Sequence, residues 1–310
     1  MTHSASTDHA VTLHPDTFHL HRAPDGYLEV ELVLGAGGVK GYLHIGLLKG
    51  IAEFCAETGL KIRFTKVTGV SVGAIIATLV TNGWTWKQIL DLFIESHDRA
   101  ANPLLIANAV ALPDWQSFMI GRSMLSLERP WDKFVQEKGL KPNAQLRIVA
   151  ADATTHEAVV FEGEDYKLGT AMSASGSLPG VFLPVKYGDK HLIDGAAFHR
   201  NPDSFCQGSA IISALGFAKT FPREVLDGLS FYYHLREMYA PVIEQPTKVD
   251  ETRHLHILHA ADDVCGLSFS LSKQRCLQMV DDGCNNIKAA LHKACRQGAI
   301  EGCPQEKLAA

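Results

Sequence analysis

The chain has no unbroken apolar run of the ~18 residues that a spanning helix needs, so no transmembrane segment is expected. It has no Lys/Arg run either, and its formal net charge is −5. That argues against nucleic acid as a partner and means that any membrane contact must rest on apolar surface more than on attraction to anionic lipid. No Cys-x-x-Cys pair exists, which removes the usual zinc and dithiol readings. The seven cysteines are expected to be buried reduced thiols, as in a reducing compartment. Four of them, Cys265, Cys276, Cys284 and Cys295, would lie near one face if their stretch were a single helix. No Pro/Gly/Ser-rich linker, internal repeat or low-complexity block divides the 310 residues, so one α/β domain is expected. The first 23 residues are polar, carry five histidines and lack both a basic n-region and an apolar h-region, so they are not a Sec-type signal. Residues 1–26 are expected to be a flexible lead rather than a histidine metal site. The expected location is cytoplasmic, although delivery by a non-Sec route would look the same.

What is present is more telling. Apolar residues make up 46% of the chain, ample for a parallel sheet covered on both faces. The segment Leu28 to Leu34 alternates and then turns wholly apolar, as a strand entering a core does. It leads into Gly35-Ala36-Gly37-Gly38-Val39-Lys40-Gly41, after which Leu43, Leu47, Leu48, Ile51 and Phe54 fall on one helical face. A Gly-rich turn at a helix start gathers backbone N–H groups and partial positive charge at one point. A dinucleotide fingerprint fails because Lys40 occupies its third glycine place, and a P-loop fails because Gly41 follows Lys40. An oxyanion hole is the better reading.

A second turn, Gly69-Val70-Ser71-Val72-Gly73, lies between the β-prone Thr65–Thr68 and the apolar Ala74–Val80. A serine on a sharp strand-to-helix turn between two glycines is how a nucleophile is raised above a sheet. The pentapeptide alone would occur by chance in about one chain in ten, so its flanks carry the reading. A third turn is Asp194-Gly195-Ala196, which follows a strand, a Gly188-Asp189 turn and a returning strand. A carboxylate at a strand end can serve as base to a serine hydroxyl within reach. Strand ends in an open α/β sheet share one edge, so the three turns could converge there.

These residues resemble the patatin-like phospholipases. The family's Gly-Gly-Gly-x-Arg/Lys-Gly turn is matched by Ala36 to Gly41, its Gly-x-Ser-x-Gly elbow by Gly69 to Gly73, and its Asp-Gly-Gly/Ala turn by Asp194 to Ala196. The run Gly41 to Lys49 and the segment Ser173 to Phe182 are also similar to the family. The resemblance covers about residues 30 to 205 and loosens beyond. It implies a three-layer α/β/α patatin-like fold with a mainly parallel central sheet. It implies a catalytic core over 27–205, with 206–310 as an α/β extension of the same domain. The implied chemistry is hydrolysis of lipid acyl esters of the phospholipase A or lysophospholipase type. Ser71 would be the nucleophile, Asp194 the general base, and the backbone N–H groups of Gly37, Gly38 and Val39 the oxyanion hole. Gly35, Gly41, Gly69, Gly73 and Gly195 are the motif glycines. No metal or cofactor is implied, and the partner is a membrane phospholipid or other lipid ester met in transient surface contact. Two departures stand out. Ala36 replaces the first glycine, with little expected harm, and His199-Arg200 follow the aspartate where small or apolar residues are commoner, which bears on pocket shape.

Three other readings are open to the residues. An α/β-hydrolase triad of Ser71, Asp262 or Asp263, and His292 has the right order, but His292 lies inside a helical run. An acyl-carrier-protein acyltransferase would usually place His where Val70 stands. A catalytically silent lipid-binding module would tend to lose one of the three motifs. The apolar segment within Ala100 to Leu125 is read as a core helix or as a lid and acyl-chain groove over Ser71.

Overall fold

The computed structural model describes residues 11–13, 18–100, 126–179, 182–217, 253–261, 264 and 271–304. All of the candidate lid over 100–125 except the backbone of Ala100, the acids at 262 and 263, and most of the histidine-rich lead therefore lie outside the described residues. The strands are β1 (Val11–Leu13), β2 (Leu28–Leu34), β3 (Ile62–Val70), β4 (Leu146–Asp152), β5 (Ala158–Glu162), β6 (Val185–Tyr187), β7 (Lys190–Asp194), β8 (Ile211–Phe217) and β9 (His254–Ala260). The helices are α1 (Gly41–Thr58), α2 (Val72–Thr81), α3 (Trp86–Ala100), α4 (Glu128–Lys138), α5 (Leu168–Gly176) and α6 (Lys273–Arg296).

The strands form one sheet in the order β1-β9-β8-β2-β3-β4-β7-β6, with β5 also on β4. The central run from β9 to β4 is parallel throughout, and antiparallel strands join it at both margins. The fold is thus α/β with a mainly parallel centre and flanking helices. Alternation in β2 explains its two faces. Leu28, Val30, Leu32 and Leu34 enter the main core with α1, α2 and α6, while Val33 packs with Cys206 and Ile211. The segment from Gly195 to Cys206 contributes to that second face through Ala196 and Phe205, which meet Ala36, Val70 and Val149.

Also on the second face, Arg147 is 6% exposed and Glu31 7%. Arg147 donates to both Glu162 oxygens at 3.2 Å and to the Phe205 carbonyl at 2.7 Å, and lies 3.9 Å from Glu31. Helix α6 holds three of the four cysteines whose spacing suggested a common helix, and it buries Cys276, Cys284 and Cys295, while Cys265 lies outside the described residues. It crosses α1 so tightly that a Cβ on Gly283 would fall on the Leu43 carbonyl. One expectation is corrected here: Cys295 is bonded to Cys303, while Cys55, Cys206, Cys276 and Cys284 are free thiols. Sequence order hid that pair because a helix end and a reversal bring the two together across eight residues. Among the described residues no helix is long and apolar enough to cross a membrane, and no group of three or more His, Cys, Asp or Glu is placed to hold a metal ion.

Candidate active site

The elbow forms because β3 and α2 meet with no loop between them. Val70 ends β3, Val72 begins α2, and Ser71 alone makes the turn with φ 57° and ψ −125°. A non-glycine residue there carries ~1–3 kcal/mol of backbone strain, so its surroundings must hold it. The flanking glycines make the turn possible. A Cβ on Gly69 would stand 2.5 Å from the Gly73 carbonyl carbon, and one on Gly73 would fall on the Leu34 carbonyl. Ser71 is partly exposed at the tip, and Gly69 and Val70 below it are buried.

Asp194 reaches the elbow from an unexpected direction. Strand β7 is antiparallel to β4, not one more parallel strand. Residues 147–149 of β4 pair with both β3 and β5, and residues 150 and 151 pair with both β5 and β7. Strands β3 and β7 therefore share one edge of β4, and β7 fills that edge where β3 leaves it. Val149 pairs with Val70, and the next residue, Ala150, pairs with Asp194. The carboxylate strand and the serine turn thus meet end to end. Contact is direct, since a Cβ on Gly195 would stand 2.8 Å from Val70 Cγ2. Asp194 is 4% exposed, and its Oδ1 accepts from the Ala196 N–H at 2.8 Å, which orients the carboxylate.

The glycine turn joins the same corner. Gly35 N–H is bound to the Ala214 carbonyl at 2.8 Å and Ala36 N–H to the Arg200 carbonyl at 2.9 Å. The second bond ties this turn to the segment after Asp194, so Arg200 contributes there through its backbone. Gly37 is extended and Gly38 turns left-handed at φ 55°, which sets Gly38 and Val39 at the head of a short 3₁₀ turn running into α1. The first N–H groups of such a turn have no partner within it and suit a developing oxyanion. His44 braces the base of the turn. Fully buried in α1, its Nε2 lies 2.9 Å from the Gly35 carbonyl, and burial pushes its pKa down to about 4. A carbonyl can only accept, so Nε2 carries the proton and donates. His199 is half-buried, and burial likewise lowers its pKa.

The structure does not bring His292 to Ser71. Its Nε2 lies 3.2 Å from Glu57, and its ring packs on Phe54, both near the C-terminal end of α1. Helix α1 starts beside the glycine turn, so at 1.5 Å per residue this is roughly 20 Å away along its axis.

Sequence reasoning assigned no role to the serines at the end of α5, and two of them, Ser175 in the helix and Ser177 just past it, are buried neighbours of the site. Ser175 Oγ accepts from the Ser71 N–H at 2.9 Å, and the Ser177 carbonyl accepts from the Asp194 N–H at 2.8 Å. The available signal was a helix with serines at 173 and 175 and another just past its end, all fully buried among apolar residues.

A family model described as patatin-like phospholipase matches residues 32–202, more than half of the chain, and spans all three turns. This chain belongs to the patatin-like phospholipase family. Family membership supports lipid hydrolysis as its activity. Among curated relatives, the uncharacterized protein YqhO of Bacillus subtilis (strain 168) is 26% identical over 286 residues, covering 82% of this chain and 95% of that one. The cUMP-AMP-activated phospholipase of Escherichia coli is 29% identical over 203 residues, covering 59% of each chain. Among solved structures, VipD from Legionella pneumophila is 13% identical, with 90% of this chain and 70% of that chain covered and a TM-score of 0.49. ExoU in its complex with SpcU, from the type III secretion system of Pseudomonas aeruginosa, is 17% identical, with 90% and 57% covered and a TM-score of 0.39.

Proposed function

We propose that this patatin-like protein is a serine lipid acyl hydrolase of the phospholipase A or lysophospholipase type. The observation that carries the reading is the register of β4. Val70, the residue before the strained Ser71, and Asp194 occupy adjoining rungs of that strand, and Ala36 of the glycine turn packs with Val70 and Ala196, which supports a shared site. Ser71 Oγ attacks the ester carbonyl carbon and passes its proton to Asp194. The carbonyl oxygen becomes an oxyanion held by the N–H groups of Gly37, Gly38 and Val39. The intermediate collapses, the leaving alkoxide takes the proton from Asp194, and the acyl group stays on Ser71. A water then gives a proton to Asp194 and attacks the acyl-enzyme, releasing the fatty acid and returning the proton to Ser71. The aspartate acts directly, without a histidine relay.

Residues 27–205 form the catalytic core in this reading, and 206–310 extend the same domain. The substrate is an ester of a membrane lipid, met at the bilayer surface through apolar contact because the chain is net acidic. The test is fatty-acid release from mixed phospholipid vesicles by wild type, Ser71→Ala and Asp194→Asn, each checked for folding. Loss in both variants is the expected result. Retained release by Ser71→Ala sinks the serine mechanism, and retained release by Asp194→Asn sinks the aspartate's role as base.

A further inference from the structure

We infer that Ser175 is a positioning residue for the nucleophile, an assignment that rests on the Ser71–Asp194 reading above. Three serines near the end of α5 are fully buried, and two of them behave as buried helix serines usually do. Ser173 Oγ donates back to the Gly169 carbonyl at 2.6 Å, and Ser177 Oγ to the Ser173 carbonyl at 2.8 Å. Ser175 does not bond back into its helix. Its hydroxyl donates to the Val149 carbonyl at 2.7 Å and accepts from the Ser71 N–H at 2.9 Å. One oxygen thus bridges the elbow to the β4 residue that pairs with Val70.

The bridge lies where the chain needs it. Ser71 has left the β3 ladder and lies outside the regular geometry of α2, at a φ of 57° that its side chain disfavours. Its N–H is left facing the interior, and an unmet buried donor would favour relaxation of the turn. Ser175 meets that donor and anchors it to the strand carrying Asp194's partner. Two residues on, the Ser177 carbonyl holds the Asp194 N–H at 2.8 Å. The end of α5 therefore sets the backbone height of nucleophile and base together. A consequence is that the Ser71 N–H is engaged and unavailable as an oxyanion donor, which leaves that task to the glycine turn.

The experiment compares Ser175→Ala, Ser175→Thr and Ser173→Ala with wild type and Ser71→Ala. The readouts are kcat and KM on a short-chain ester, the rate of Ser71 labelling by a fluorophosphonate, and Tm. Ser173→Ala is the control, since it removes a buried hydroxyl of the same helix that touches neither turn. Ser175→Ala should lower kcat and the labelling rate in parallel by about 10- to 100-fold, the scale of a small misplacement of a reacting group, with KM changed less than about twofold. Ser175→Thr, which keeps the oxygen, should recover part of that loss, and Ser173→Ala should keep wild-type kcat whatever its Tm. If Ser175→Ala does not fold, Ser175→Cys keeps the volume, weakens both hydrogen bonds and should show the same fall in kcat. Wild-type kcat in the Ser175 variants, or an equal kcat loss in Ser173→Ala, overturns the assignment while the hydrolase reading stands. Full activity in Ser71→Ala overturns both.

Discussion

Replacing Gly73 with alanine tests the candidate site through a single added methyl group. An ideal Cβ there would overlap the Leu34 carbonyl oxygen and stand 2.6 Å from the Leu34 carbonyl carbon and 2.8 Å from the Gly35 oxygen. Carbon contacts settle near ~3.5 Å, so something must move by roughly 1 Å. All three atoms are backbone, and no rotamer change relieves them. The shift must separate the start of α2 from the end of β2, which draws the Gly35–Val39 turn away from Ser71. Overpacking of this kind costs about 1–3 kcal/mol of stability. A displacement of ~1 Å between a nucleophile and its oxyanion donors costs about 100-fold in rate. The assay is ester hydrolysis under saturating substrate, alongside thermal unfolding. Gly59→Ala is the comparison. Gly59 caps α1 at φ 75° with nothing within 4 Å of its would-be Cβ. That variant should lose about 1–2 kcal/mol to left-handed strain and keep full kcat. Gly73→Ala with kcat within twofold of wild type would refute the claim that this contact sets the site's spacing.

Two further outcomes concern stability. His44 titrates at about 4 when folded and at 6.5 as a free side chain, so the unfolded chain binds a proton that the folded one does not. Its contribution is complete above pH 6.5 and is lost as pH falls towards 4, the loss reaching about 2 kcal/mol by pH 5. Urea midpoints should therefore fall more steeply with acid for wild type than for His44→Gln, and parallel slopes would contradict the assignment. Arg147→Met strands Glu31, which is 7% exposed, and should cost about 3–5 kcal/mol, with much of that recovered in the double variant Arg147→Met/Glu31→Leu. A single variant as stable as wild type in urea would show that the pair is not buried as described.

Local chemistry was legible from the order of residues. All three glycine-bearing turns, the β2 alternation and the 188–189 hairpin follow from short-range pattern, because turn geometry and burial are decided within a few positions. The candidate nucleophile and carboxylate were named from those turns, their flanking strands and helices, and the family resemblance they carry. What could not be read was how distant segments meet. That β7 runs antiparallel and takes over the edge that β3 vacates is a register, and register depends on pairing between residues 44 apart, Ala150 and Asp194, one rung beyond the Val70–Val149 pair. The same limit hid Ser175, 104 residues from the N–H it holds, and the Cys295–Cys303 bond, where a helix end folds back on itself. It also hid His44, whose place in an apolar helical run says nothing of the carbonyl nine residues earlier that it braces. Residue type and near-neighbour spacing determined which groups could do chemistry here. Only the packing of α5, β4 and β7 around one elbow decided which of them stand together, because hydrogen bonds between buried groups form wherever the folded backbone brings donor and acceptor within reach.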